Sequence, residues 1–160
     1  MDQPISIQDL KEMLARAGVF GVDVVSSDDV TIDGSRFLVR GRPRDKAVVL
    51  LQFPGKDVGH FVCVWRRGGK WMYYDPTGKS MGHHRVLTPL EGVDSSPMVH
   101  QKRYVRFTDG SSAAVHDMNT CGRHCVVRMK HRALTHAQYD KLLGSRPFGS
   151  ADEYVNKTTQ

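Results

Sequence analysis

The sequence predicts an α+β domain, a small central mixed or antiparallel sheet flanked by helices. Apolar residues recur at helical spacing near the start and again after Cys121. Between them lies a hairpin that is apolar on both faces, with turn-rich stretches on either side. A chain of 160 residues and 18.0 kDa suits one domain over 1–160, long enough to form a core without disulfide staples.

The elements follow in order. Ser6 opens the first helix as an N-cap, with Asp9 three positions on, and Ile7, Leu10, Met13, Leu14 and Ala17 repeat at helical spacing until Gly18 stops the run. The Asp/Ser-rich stretch 26–29 reads as a turn or loop, and 36–40 and 47–53 as short strands. The strongest hairpin joins 60–66 to 70–75 across Arg67, Gly68 and Gly69. Val62, Val64, Trp71 and Tyr73 share one face; Phe61, Cys63, Trp65, Met72 and Tyr74 share the other. A pair apolar on both faces belongs inside a sheet. Residues 76–101, rich in Pro and Gly, form a long loop of the kind that carries function, and 102–107 a further strand. A helix runs from about Asn119 to Leu134, with Cys125, Val126, Met129 and Ala133 as its apolar stripe and Arg128 and Arg132 facing out. A second helix fits 135–143, and 150–153 caps a short third. The main sheet is expected between sequence-remote helices.

Composition narrows the function classes. The best apolar run, 47–51, falls far short of the roughly 20 residues of a membrane span. The start, Met1-Asp2-Gln3-Pro4, has no basic and apolar signal pattern, so secretion is not expected. Three cysteines cannot all pair, which fits a reducing compartment. The net charge of +6 is uneven. Residues 1–34 hold two bases and seven acids, whereas 101–132 hold seven bases and two acids, a basic face that suits a polyanion such as non-specific DNA.

Two places carry chemistry. Facing residues in an antiparallel hairpin have numbers of constant sum, and both likely turns here give an odd sum. His60 and Asp75 then emerge on one face, directly opposite or one diagonal apart, where the carboxylate can hold the imidazole and stabilise its charged form. Cys121 stands in the first turn of a helix, where unpaired N–H groups favour a thiolate and can stabilise an oxyanion, with Gly122 leaving room for a substrate backbone. Cys63 and Cys125 read as buried structural thiols. A zinc site from His60, Cys63, Cys121 and His124 is disfavoured, because strand positions i and i+3 point to opposite faces.

The order His60, hairpin ending Asp75-Pro76, then Cys121-Gly122 at a helix start resembles the adenovirus endopeptidase and the ubiquitin-like-protein-specific proteases. The resemblance covers about 47–135, through Gly59-His60-Phe61-Val62-Cys63-Val64-Trp65, Trp71-Met72-Tyr73-Tyr74-Asp75-Pro76 and Thr120-Cys121-Gly122-Arg123-His124-Cys125, and the tail is similar to compact adenain-like proteases. It implies the adenain fold, with the nucleophile Cys121 at the start of a central helix, His60 as general base, Asp75 as orienting acid and Phe61 lining the substrate cleft. It implies maturation of viral structural proteins inside the virion and host cell, with no cofactor for the chemistry and no metal. DNA or a peptide would serve as an activator. Removal of ubiquitin-like modifiers from host conjugates, and a basic nucleic-acid-binding structural protein without activity, are the alternatives. One departure stands out. The family Gln that donates to the oxyanion is replaced by Val115 or Ala114, leaving His116 and Asn119 as candidate donors. Losing one such donor costs roughly 10²–10³ in rate.

Overall fold

The computed structural model describes residues 5–53, 59–95, 104–106, 112–114, 120–144, 155 and 157–159. Helix α1 (Ile7–Arg16) begins at a reciprocal cap: Ser6 Oγ accepts from the Asp9 N–H at 3.0 Å, and the Asp9 carboxylate accepts from the Ser6 N–H at 3.1 Å. Its apolar stripe buries Leu10, Met13 and Leu14, and the chain leaves the helix through Gly18 at a φ of 75°.

A four-stranded mixed sheet forms the centre, with β1 (Asp23–Ser26) parallel to β5 (Lys46–Gln52), followed by antiparallel β6 (Gly59–Arg67) and β7 (Lys70–Tyr74). Between β1 and β5 the chain forms a second sheet from β2 (Val30–Asp33), β3 (Arg36–Val39) and β4 (Arg42–Pro43). A separate pair joins β8 (Tyr104–Arg106) to β9 (Ser112–Ala114). A 3₁₀ turn over Ser27–Asp29, in the stretch expected as a turn or loop, and helices α2 (Thr120–Lys130) and α3 (His136–Gly144) complete the named elements. The architecture is α+β, and the cap expected at 150–153 lies outside the described residues.

The two faces of the hairpin divide the core as the alternation requires. Phe61, Cys63, Trp65, Met72 and Tyr74 pack with α1, α2 and α3. Val62, Val64, Trp71 and Tyr73 pack instead with Phe37 and Val39 of β3 and with Met81, Leu87 and Leu90 of the following loop. The described helices therefore share one side of the sheet, and a second sheet and a loop cover the other. That corrects the expectation of a sheet between helices.

Further expectations change, on β7 and along α2. Strand β7 is an edge strand of its sheet, not an interior one. The loop protects that edge: Asp94 donates its N–H to Trp71 O at 2.8 Å and accepts from Tyr73 N–H at 2.9 Å. Arg128 does not face out. It is fully buried, with its guanidinium 4.6 Å from the ring centres of both Trp65 and Tyr139. Ala133, assigned to the apolar stripe, is exposed, and Arg132 is half-buried. The reason is that α2 ends at Lys130, four residues early. Arg128 caps the carbonyls of His131 and Leu134 at 2.9 and 3.0 Å, and Arg132 caps Met129 O at 3.0 Å.

Candidate active site

Strands β6 and β7 pair with Cys63 opposite Tyr74 and Arg67 opposite Lys70, so the two-residue turn is Gly68-Gly69. The sum is odd, and continuing this register past Tyr74 sets Asp75 one diagonal from His60. Gly68 takes the left-handed φ of 63° that a tight hairpin needs. At the open end, His60 Nε2 lies 2.6 Å from Asp75 Oδ1.

Asp75 is the hub. Its side chain is fully buried, and that of His60 is 10% exposed. Oδ1 also accepts from the Thr77 N–H and hydroxyl, each at 2.7 Å, and Oδ2 faces His84 Nε2 at 2.9 Å. Burial alone pushes this carboxyl's pKa up. The hydrogen bonds from His60, His84 and Thr77 outweigh it and hold the group well below the usual carboxylate range. An ionised carboxylate only accepts, so both histidines donate from Nε2. His60 Nδ1 is thereby left as the nitrogen that can take a proton.

Cys121 is the second residue of α2 and is 5% exposed. The first turn carries no acid that would oppose a thiolate. Gly122 serves packing here, not substrate access: a Cβ on it would lie 3.0 Å from Leu10 Cδ1 and 3.4 Å from Phe61 Cδ2. Helix α2 therefore begins against the β6 residue next to His60, on the other side of the pleat. Phe61, expected to line a cleft, is 4% exposed and belongs to the helix-side core. The structure thus joins His60 to Asp75 directly and sets the start of α2 against the neighbouring Phe61.

Cys63 and Cys125 fit the structural role. Both are fully buried, and Cys63 Sγ donates to Cys125 O at 3.6 Å. Burial, followed by the Cys63 contact, pushes the Cys125 thiol well up, so it stays protonated. The oxyanion candidates His116 and Asn119 lie outside the described residues. His84 is the site residue that sequence reasoning missed; its only signal was a His83-His84 pair in the long loop after Asp75. Comparison of the chain with models of protein families, with curated proteins and with solved structures gives no match.

Proposed function

We propose that the protein is a cysteine endopeptidase of adenain-like fold, with Cys121 as nucleophile, His60 as general base and Asp75 as orienting acid. The observation that carries this reading is the buried 2.6 Å contact between His60 Nε2 and Asp75 Oδ1, which fixes the ring and leaves Nδ1 for proton transfer. His60 takes the Cys121 thiol proton, and the thiolate adds to the peptide carbonyl carbon. Backbone N–H groups of the α2 start stabilise the oxyanion. The imidazolium then protonates the leaving amine as the C–N bond breaks. Water, deprotonated by His60, hydrolyses the thioester and frees the thiol. The substrates we assign are precursors of viral structural proteins, met inside the virion or host cell. The test is labelling by peptide and by ubiquitin-like probes bearing a C-terminal electrophile. Cys121→Ala should abolish labelling of the folded protein, and the probe that reacts distinguishes endopeptidase from isopeptidase. Equal labelling of wild type and Cys121→Ala would end the proposal.

A polyanion partner keeps a place in this reading, on a surface that retains Lys130 and Arg132 of the basic 101–132 stretch, adds Arg66 and Arg67 of the hairpin, and leaves out the buried Arg128. Arg66, Arg67, Lys130 and Arg132 line an open depression of about 700 Å³ with no acidic residue in its wall. Such a surface suits phosphate contacts that tether the enzyme to nucleic acid.

A further inference from the structure

Asp75 is approached by two imidazoles, one on each carboxylate oxygen, and a peptidase triad needs only one of them. His60, Asp75 and His84 each offer one ligand atom, and these atoms lie within 4.8 Å of one another. His60 comes from β6, Asp75 follows β7, and His84 lies in the turn that brings the chain back, so three separate backbone segments converge. The His60 and His84 rings meet edge to face, with centroids 5.3 Å apart.

We infer that these three side chains form a binding site for a zinc-class divalent cation, and that its occupancy switches the peptidase off. Two imidazoles and a carboxylate are the donor set zinc takes when its fourth position stays open. A tetrahedral ion with bonds of about 2.0–2.1 Å sets its ligands roughly 3.3 Å apart. The present contacts of 2.6 and 2.9 Å therefore open by about half an ångström as the metal takes the Nε2 lone pair of each neutral ring, whose one proton shifts from Nε2 to Nδ1 through solvent. His84 has room to make that adjustment, since its side chain is 23% exposed. Asp75 does not have to move far. The Thr77 N–H and hydroxyl already hold Oδ1, the supporting contact that orients a metal-bound carboxylate. Nitrogen ligands favour zinc, nickel and copper over the oxygen-seeking magnesium and calcium.

Binding would take Nε2 of His60 away from Asp75, so the ring could no longer be stabilised as an imidazolium while it shuttles protons. That consequence rests on the peptidase reading; the metal site does not.

The experiment titrates the full chain with ZnCl₂ by calorimetry and with CoCl₂ by visible absorbance, with MgCl₂ as the control ion. One equivalent of zinc is expected to bind, and magnesium none. His84→Gln should weaken zinc by more than about tenfold, and Thr77→Val, which touches only the supporting contact, by about tenfold. Cys121→Ala and the exposed neighbour His83→Ala should bind as wild type does. Zinc retained by His84→Gln, or lost in Cys121→Ala or His83→Ala, would overturn the site. If His84→Gln fails to fold by circular dichroism, Thr77→Val decides, and unchanged affinity there overturns it equally. In the activity arm, zinc should stop probe labelling of wild type and spare His84→Gln. Zinc binding through His84 in a chain without thiol-dependent labelling would sink the peptidase alone. Labelling with no zinc site would sink this inference alone.

Discussion

Arg128 donates from Nη2 to Nδ1 of His136 across 3.3 Å, and this contact decides which nitrogen of the imidazole carries its proton. A guanidinium cannot accept, so Nδ1 is bare and Nε2 carries the hydrogen that is donated to Asp94 O at 3.0 Å. Asp94 is the residue that covers the β7 edge. One chain of contacts therefore ties α2, α3 and the loop to the sheet margin on which the candidate site is built.

Protonating His136 should loosen that chain. Burial, followed by the charge of Arg128, lowers its pKa from the ordinary histidine value. The unfolded chain then binds a proton that the folded chain refuses, so stability is full above about pH 6.5 and falls as the pH drops below it. Melting temperatures measured from about pH 7.5 down to about pH 5.5 should decline in wild type. His136→Gln, which has nothing to titrate, should show a flatter profile, and parallel profiles would refute the assignment.

Arg128 should behave as a core residue. Removing it empties the space between Trp65 and Tyr139 and unpairs the carbonyls of His131 and Leu134. Arg128→Leu should cost about 3 kcal/mol, which is roughly a 10 °C fall in melting temperature for a chain of this size. Arg128→Lys keeps the charge but loses the planar fork, and should fall between the two. Thermal unfolding of the three proteins checks the order.

Polyanion binding should follow the depression beside the hairpin turn. Fluorescence anisotropy with random duplex DNA from about 25 to 200 mM salt should show binding that weakens steeply with salt. Charge reversal at the exposed Arg66, Arg67 and Lys130 should remove it. Salt-independent binding, or binding that survives the reversal, would exclude this surface.

Among the site variants, His60→Ala should be nearly as damaging to turnover as Cys121→Ala, since the proposed mechanism passes every proton through His60. Asp75→Asn should keep measurable activity, because the acid orients and stabilises the ring without transferring the proton. Cys63→Ala and Cys125→Ser should act through stability, visible in unfolding and not in the rate per folded molecule. Peptide cleavage assays, normalised to folded protein, test the ranking; wild-type rates in Asp75→Asn would exclude the orienting role.

What the sequence determined by itself is local and periodic. The Ser6–Asp9 cap lies within one helical turn, and the two faces of the 60–75 hairpin follow from a period of two. The odd register sum put His60 and Asp75 on one face, directly opposite or one diagonal apart, and the observed pairing of Cys63 with Tyr74 chose the diagonal. Each depends on backbone geometry over a few residues, which the residues themselves encode. The tertiary structure decided the rest. Strand β1 had to cross over a whole second sheet to pair with β5, and no local pattern announces such a pairing. Periodicity reports that Arg128 is charged. It does not report that Trp65, from a distant strand, and Tyr139, from the next helix, supply two aromatic faces to bury it. His84 likewise reaches Asp75 only because the loop folds back over the sheet. A buried cation or a shared carboxylate is stable only when remote partners meet it, and their arrival is a property of packing, not of spacing.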